Sequence, residues 1–142
     1  MTIATTLLHK HLEWLVDQPQ QWRGLIADNI VWDLPYAPSL GHPVKLEGRE
    51  AVLRHASWFA GAVKDFRFSE AIVTATDNPE HAIARVRGEG VIAANGRVYR
   101  QEYVVFLTAQ DGRIVQLREY FDPVQAALAL DAPVVGVSSR SI

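Results

Sequence analysis

Leu8, Leu12 and Leu15 recur at helical spacing near the start of the chain, with Leu7, His11 and Trp14 beside them. That period predicts an amphipathic helix. Pro19 suits the first position of a second, short helix, with Trp22, Leu25 and Ile26 on its inner side. The segment NIVWDLPYA (29–37) is β-branched, aromatic and closed by prolines, which predicts a short strand. A loop follows through Gly41, His42 and Pro43. GREAVLRHASWFAGAV (48–63) returns to the helical period, with Val52, His55, Phe59 and Ala62 on one stripe and Ala51 and Trp58 beside it.

From residue 64 the period changes to two. KDFRFSEAIVTAT, HAIARVRGEGVIA, RVYRQEYVVFLTA and RIVQLREYF predict four strands. DNPE at 77–80, NG at 95–96 and DG at 111–112 supply the turns of antiparallel hairpins. Asp122 and Pro123 then predict the N-cap and first position of a last helix. Three helices with one interposed strand, a four-stranded meander and a terminal helix predict an α+β fold. Its cone-shaped, curved antiparallel sheet would carry the helices on one face and leave a pocket between them. The expected organisation is a single domain over 1–133 and a short tail over 134–142.

One residue breaks the alternation of the last strand. Val115, Leu117, Glu119 and Phe121 share a face, so a carboxylate points the way of three apolar side chains. His55 likewise sits inside the apolar stripe of its helix. Each has a structural explanation: Glu119 at a strand end near the positive start of a helix, His55 as a satisfied core histidine. Together they suggest a buried acid/base pair whose titrations are coupled.

Trp32, Tyr36, Trp58, Phe59, Tyr103 and Phe121 are candidate walls of a substrate pocket, although aromatic residues also fill small cores without a ligand. Glu89 and Glu102, beside Arg85, Arg87 and Arg100, suit cross-strand ion pairs on an outer face. GEG (88–90) reads as a bulge or bend.

Composition narrows the function classes. The chain has 142 residues, 49% hydrophobic and 21% charged, which fits a folded domain and not a disordered one. A formal net charge of −2 with dispersed basic residues gives no footprint for nucleic acid or an anionic membrane. Absence of cysteine removes disulfides and thiolate chemistry. His9, His11, His42 and His81 have no metal-ligand spacing, so neither metal nor other cofactor is expected. MTIATTLLHKHLEWLVDQ has neither a basic leader nor an unbroken apolar run, and the expected location is cytoplasmic.

GREAVLRHASWF, the RGEG strand, DGRIVQLREYFDP and ALALDAPV together resemble the SnoaL-like branch of the nuclear-transport-factor-2-like superfamily, most of all its phenazine-biosynthesis A/B proteins. The resemblance implies a cone-shaped barrel, a homodimer formed across the sheet, and a deep cavity for small hydrophobic, often cyclic molecules. It implies acid/base roles for His55 and Glu119. Two positions depart from the pattern: Phe59 stands where those proteins carry a cavity serine, and Trp22, next to Arg23, stands where they carry a cavity arginine. A less polar ligand is expected in consequence.

The resulting expectation is a cofactor-free isomerase, cyclase or condensing enzyme for a small cyclic or ketonic molecule. Glu119 and His55 would move protons, Tyr103 and Trp58 would orient the ligand, and the outer face with Gln116, Arg118 and Tyr120 would form the dimer. The alternatives are a non-catalytic carrier of a hydrophobic ligand and a dimeric interaction module.

Overall fold

A computed structural model describes residues 1–136; residues 137–142, most of the expected tail, lie outside it. Thr2 opens α1 (Ile3–Asp17) with a capping box: its hydroxyl accepts from the Thr5 N–H at 3.1 Å, and the Thr5 hydroxyl accepts from the Thr2 N–H at 3.0 Å. Pro19 starts α2 (Pro19–Arg23), which ends before Leu25 and Ile26. Ile26 instead opens β1 (Ile26–Asp33), and the Arg49 guanidinium pins the junction by donating to the carbonyls of Arg23 and Ile26. The expected 29–37 strand is therefore shifted, and Tyr36 falls in the turn before a 3-10 helix at Ala37–Leu40.

The expected loop after it contains β2 (Lys45–Glu47), antiparallel to β1 and too short to carry a period of its own. Next come α3 (Arg49–Ala62), β3 (Val63–Ala75), β4 (His81–Ile92), β5 (Val98–Gln110), β6 (Arg113–Tyr120) and α4 (Pro123–Leu130). The DG hairpin turn has φ of 52° at Asp111 and 77° at Gly112, as its sequence requires.

The sheet runs β2-β1-β6-β5-β4-β3. Strands β3 to β6 form the expected antiparallel meander, but β1 pairs parallel with β6, so the sheet is mixed. Periodicity marks a strand without naming its neighbour, and this pairing joins strands far apart in the chain. On one face, Ala82, Ala84 and Val86 of β4 and Val105, Leu107 and Ala109 of β5 are buried beneath the helices. The other face carries exposed ion pairs, Arg100–Glu89 and Arg87–Glu70, each at 3.1 Å. Among the described residues Glu102 has no ion-pair partner, and Glu70 takes the place expected for it. Such exposed pairs contribute at most about 1 kcal/mol.

Bulges shape the sheet around the site. In β3, register shifts accompany positive φ at Asp65 (55°) and Glu70 (53°). The GEG segment is regularly paired with β5, and the irregularity lies opposite it in β3. A Cβ on Gly88 would collide with the rings of Phe66 and Tyr103, so this glycine makes room for two aromatic side chains over the sheet. In β6, Ile114 faces Ala109 and Gln116 faces Thr108, which leaves Val115 as the bulged residue. Ile114, not Val115, therefore joins the buried face with Leu117.

Candidate active site

Between the helix-bearing face of the sheet, α3, α4 and the segment after β1 lies an open cavity of about 290 Å³. An inner chamber of about 40 Å³ adjoins it, and His55, Phe59, Tyr103 and Glu119 line both. Glu119 reaches the cavity from β6, where it pairs with Val105 of β5. His55 reaches it from α3, its ring 5.2 Å from Trp32 and 5.8 Å from Trp58. The remaining outer wall is mostly apolar, from Leu34, Leu40, Leu46, Val63, Ile92 and Leu130.

Of the six expected aromatic wall residues, Trp58, Phe59, Tyr103 and Phe121 line the main cavity. Trp32 borders only the inner chamber, and its indole N–H is buried without a hydrogen-bond partner among the described residues. Tyr36 lines neither: it is 47% exposed and packs edge-on against Tyr120, because the chain leaves the strand before reaching it. Trp22 is buried away from both chambers, and Arg23 is exposed. Among the described residues, neither Lys nor Arg lines either chamber.

Tyr103 was among the expected wall residues, whereas three polar residues at or behind the site were not. Tyr99 stands on the same strand face, and its hydroxyl is 3.0 Å from that of Tyr103. Gln101, between them, donates to the Tyr99 hydroxyl at 3.2 Å. His42, exposed at the mouth, packs against Trp58 at 5.8 Å. Tyr99 shares the two-residue period with Tyr103 and was legible in principle, whereas Gln101 matters only through its tertiary contacts.

Electrostatics push the two central groups in opposite directions. Burial raises the Glu119 carboxyl to about 8. Glu119 retains some accessible surface, but that surface faces the cavity, so its carboxyl lacks the solvation of an exposed one. Burial lowers His55 below its ordinary value, and the neighbouring His42 lowers it further. Near pH 7 both groups are therefore mainly uncharged: a carboxylic acid that can donate a proton and an imidazole that can accept one. No hydrogen bond or ion pair joins them, and His55 is not among the causes of the Glu119 shift. The expected directly coupled pair is replaced by two groups that face a common space.

The SnoaL-like domain model matches residues 13–117, well over half of the chain. The chain belongs to the SnoaL-like family. Glu119 and the cavity-lining residues of α4 lie just past the matched segment of this SnoaL-like domain. A phenazine-biosynthesis-A/B-like protein of Pseudomonas aeruginosa is 31% identical over 109 residues, covering 77% of this chain and 76% of its own. The crystal structure of a phenazine biosynthesis-related protein from the same organism superposes with a TM-score of 0.80 at 22% identity, covering 99% of this chain and 88% of that one. An NTF2-like protein from Burkholderia xenovorans gives 0.75 at 16% identity, covering 91% and 97%. The SnoaL-like chain thus has the curved α+β cone of the NTF2-like fold. No helix among its described residues is long and apolar enough to cross a membrane.

Proposed function

We propose that this protein is a cofactor-free acid/base enzyme, an isomerase, cyclase or condensing enzyme, acting on a small and largely apolar cyclic or ketonic molecule. One observation carries the reading: a carboxyl raised to about 8 and a histidine lowered by burial line the same apolar cavity. Environments that push two titratable groups in opposite directions assign an acid and a base. Glu119 is the proton donor, His55 the acceptor, and Trp58, Phe59, Tyr103 and Phe121 hold the ligand between them. One turnover leaves imidazolium and carboxylate, and return of the proton through the open mouth resets both.

The partner in solution is a second copy of the chain, docked through the outer sheet face. That face presents Phe106, 40% exposed, beside Tyr120 and Arg118, two aromatic rings and an arginine of the kind interfaces favour. Sedimentation at micromolar concentration should give a dimer; a monomer would refute this arrangement.

A second reading, a carrier for the same class of ligand, is favoured by the lack of a direct Glu119–His55 bond. Exchange of α-hydrogens in D2O separates the two. With a panel of cyclic ketones followed by proton NMR, the enzyme reading expects exchange above the buffer rate. It also expects a loss of about a hundredfold or more in Glu119→Gln and His55→Gln. Binding without exchange would support the carrier.

A further inference from the structure

Gln101 is clamped at both ends of its amide. Its carbonyl accepts from the backbone N–H of Asp122 at 2.8 Å and of Glu102 at 3.0 Å. Its NH2 group donates to the Asp122 carbonyl at 2.9 Å and to the Tyr99 hydroxyl at 3.2 Å. Backbone N–H groups only donate, so the amide has one permitted orientation. The Tyr99 oxygen therefore receives a hydrogen bond from Gln101.

A hydroxyl that accepts becomes a better donor. The Tyr99 and Tyr103 oxygens are 3.0 Å apart and either hydroxyl can donate to the other, but the bond from Gln101 favours Tyr99 as the donor. In that arrangement the chain runs from Gln101 to Tyr99 to Tyr103 and ends there, leaving the Tyr103 proton as its free donor. Tyr103 is 4% exposed and lines both chambers, in the space that Gly88 leaves for its ring. Both tyrosines lie close enough to Glu119 to respond to its charge. A terminal donor at the floor of an apolar cavity needs an acceptor that carries no charge and costs little to desolvate.

We propose that the Tyr103 hydroxyl is the binding point for a neutral ligand oxygen, a ketone carbonyl or the hydroxyl that replaces it, and that Tyr99 and Gln101 are positioning residues that set its direction. This rests on the ketone-binding reading above and adds to it the oxygen's location. It also links the ligand to the fold, because the amide that aims the hydroxyl chain holds the N-cap residue of α4.

The test uses cyclohexanone carrying 13C at its carbonyl, read by the infrared band of the bound probe. In the parent protein the band should lie below its position in hexane, as hydrogen bonding requires. Tyr103→Phe should move it toward the hexane position while the probe still binds. Tyr99→Phe, which leaves the clamp between Gln101 and Asp122 intact, should return it part-way with Tyr103 in place. An unshifted band in the parent, or a band that ignores Tyr103→Phe or Tyr99→Phe, overturns the proposal and leaves the ketone-binding reading standing. Failure of cyclohexanone to perturb the NMR signals of cavity residues overturns both.

Discussion

His11 and His55 both pack edge-on against Trp32, with ring centroids 6.1 and 5.2 Å from it, and their circumstances diverge from there. His11 is 1% exposed, and its Nδ1 accepts from the Trp22 indole N–H at 2.9 Å. Burial lowers it to about 4, so it stays neutral and serves the core. His55 is half-buried, has no hydrogen-bond partner among the described residues and borders two chambers. A buried histidine becomes a site when its polar atoms are left for a ligand, and a structural element when a neighbour occupies them.

The largest effect should come from dismantling the first arrangement. Trp22→Ala removes a fully buried ring and the partner of His11, and should cost about 3–5 kcal/mol in urea unfolding. Trp58→Ala, at the half-exposed mouth beside His55, should cost about 1 kcal/mol or less. Equal losses would erase the distinction between core and cavity.

Glu119→Gln comes next. Folded Glu119 titrates at about 8 against an ordinary 4.5, so the folded chain keeps a proton that the unfolded chain releases. Its contribution to stability is complete below 4.5 and is lost as pH rises through 8. His11 runs the other way: with about 4 folded against 6.5, its contribution is present above 6.5 and is lost as pH falls through 4. Between 4.5 and 6.5 the two trends oppose each other, and from 6.5 to 8 the Glu119 loss dominates. At about 1.4 kcal/mol per pKa unit the alkaline decline amounts to a few kcal/mol. Glu119→Gln should remove it and leave a rise from 4 to 6.5, whereas His11→Gln, which keeps an acceptor for Trp22, should leave only the decline from 4.5 to 8. Urea midpoints measured across pH would show a shared origin for both limbs if either variant abolished both.

Catalytic pH dependence sharpens the same contrast. Hydrogen exchange by the parent should rise as His55 loses its proton on the acid side and fall as Glu119 ionises near 8. A rate that climbs through pH 8 would make the carboxylate the base. The smallest effect is on specificity: Phe59→Ser should shift ligand preference toward hydroxylated analogues by about tenfold. An unchanged ranking in matched ligand pairs would deny Phe59 a part in ligand contact.

Much of this was legible in the sequence. The helices, the four meander strands, the DG turn and the Asp122 cap follow from local periodicity and turn chemistry, because local forces decide them. Glu119 and His55 were visible as polar residues on apolar stripes. The parallel pairing of β1 with β6, the slip at Val115 and the hold of Gln101 on Asp122 depend on residues far apart in the chain. Nothing within a window of sequence reports them. Tyr36 was misplaced for the same reason, since its strand ends where tertiary contacts end it. His11 carried no local mark of its bond to Trp22, eleven residues away.

The central claim is that the cavity holds Glu119 as an acid and not as a carboxylate at neutral pH. Carbon-13 NMR of the side-chain carboxyl tests it most directly, with labelled glutamate and Glu119→Gln to assign the resonance. The account predicts a single titration with its midpoint near 8, displaced upward from the ordinary 4.5. A midpoint near 4.5 would contradict it, for the carboxyl would then be solvated and charged, and the cavity would hold no proton donor at that position.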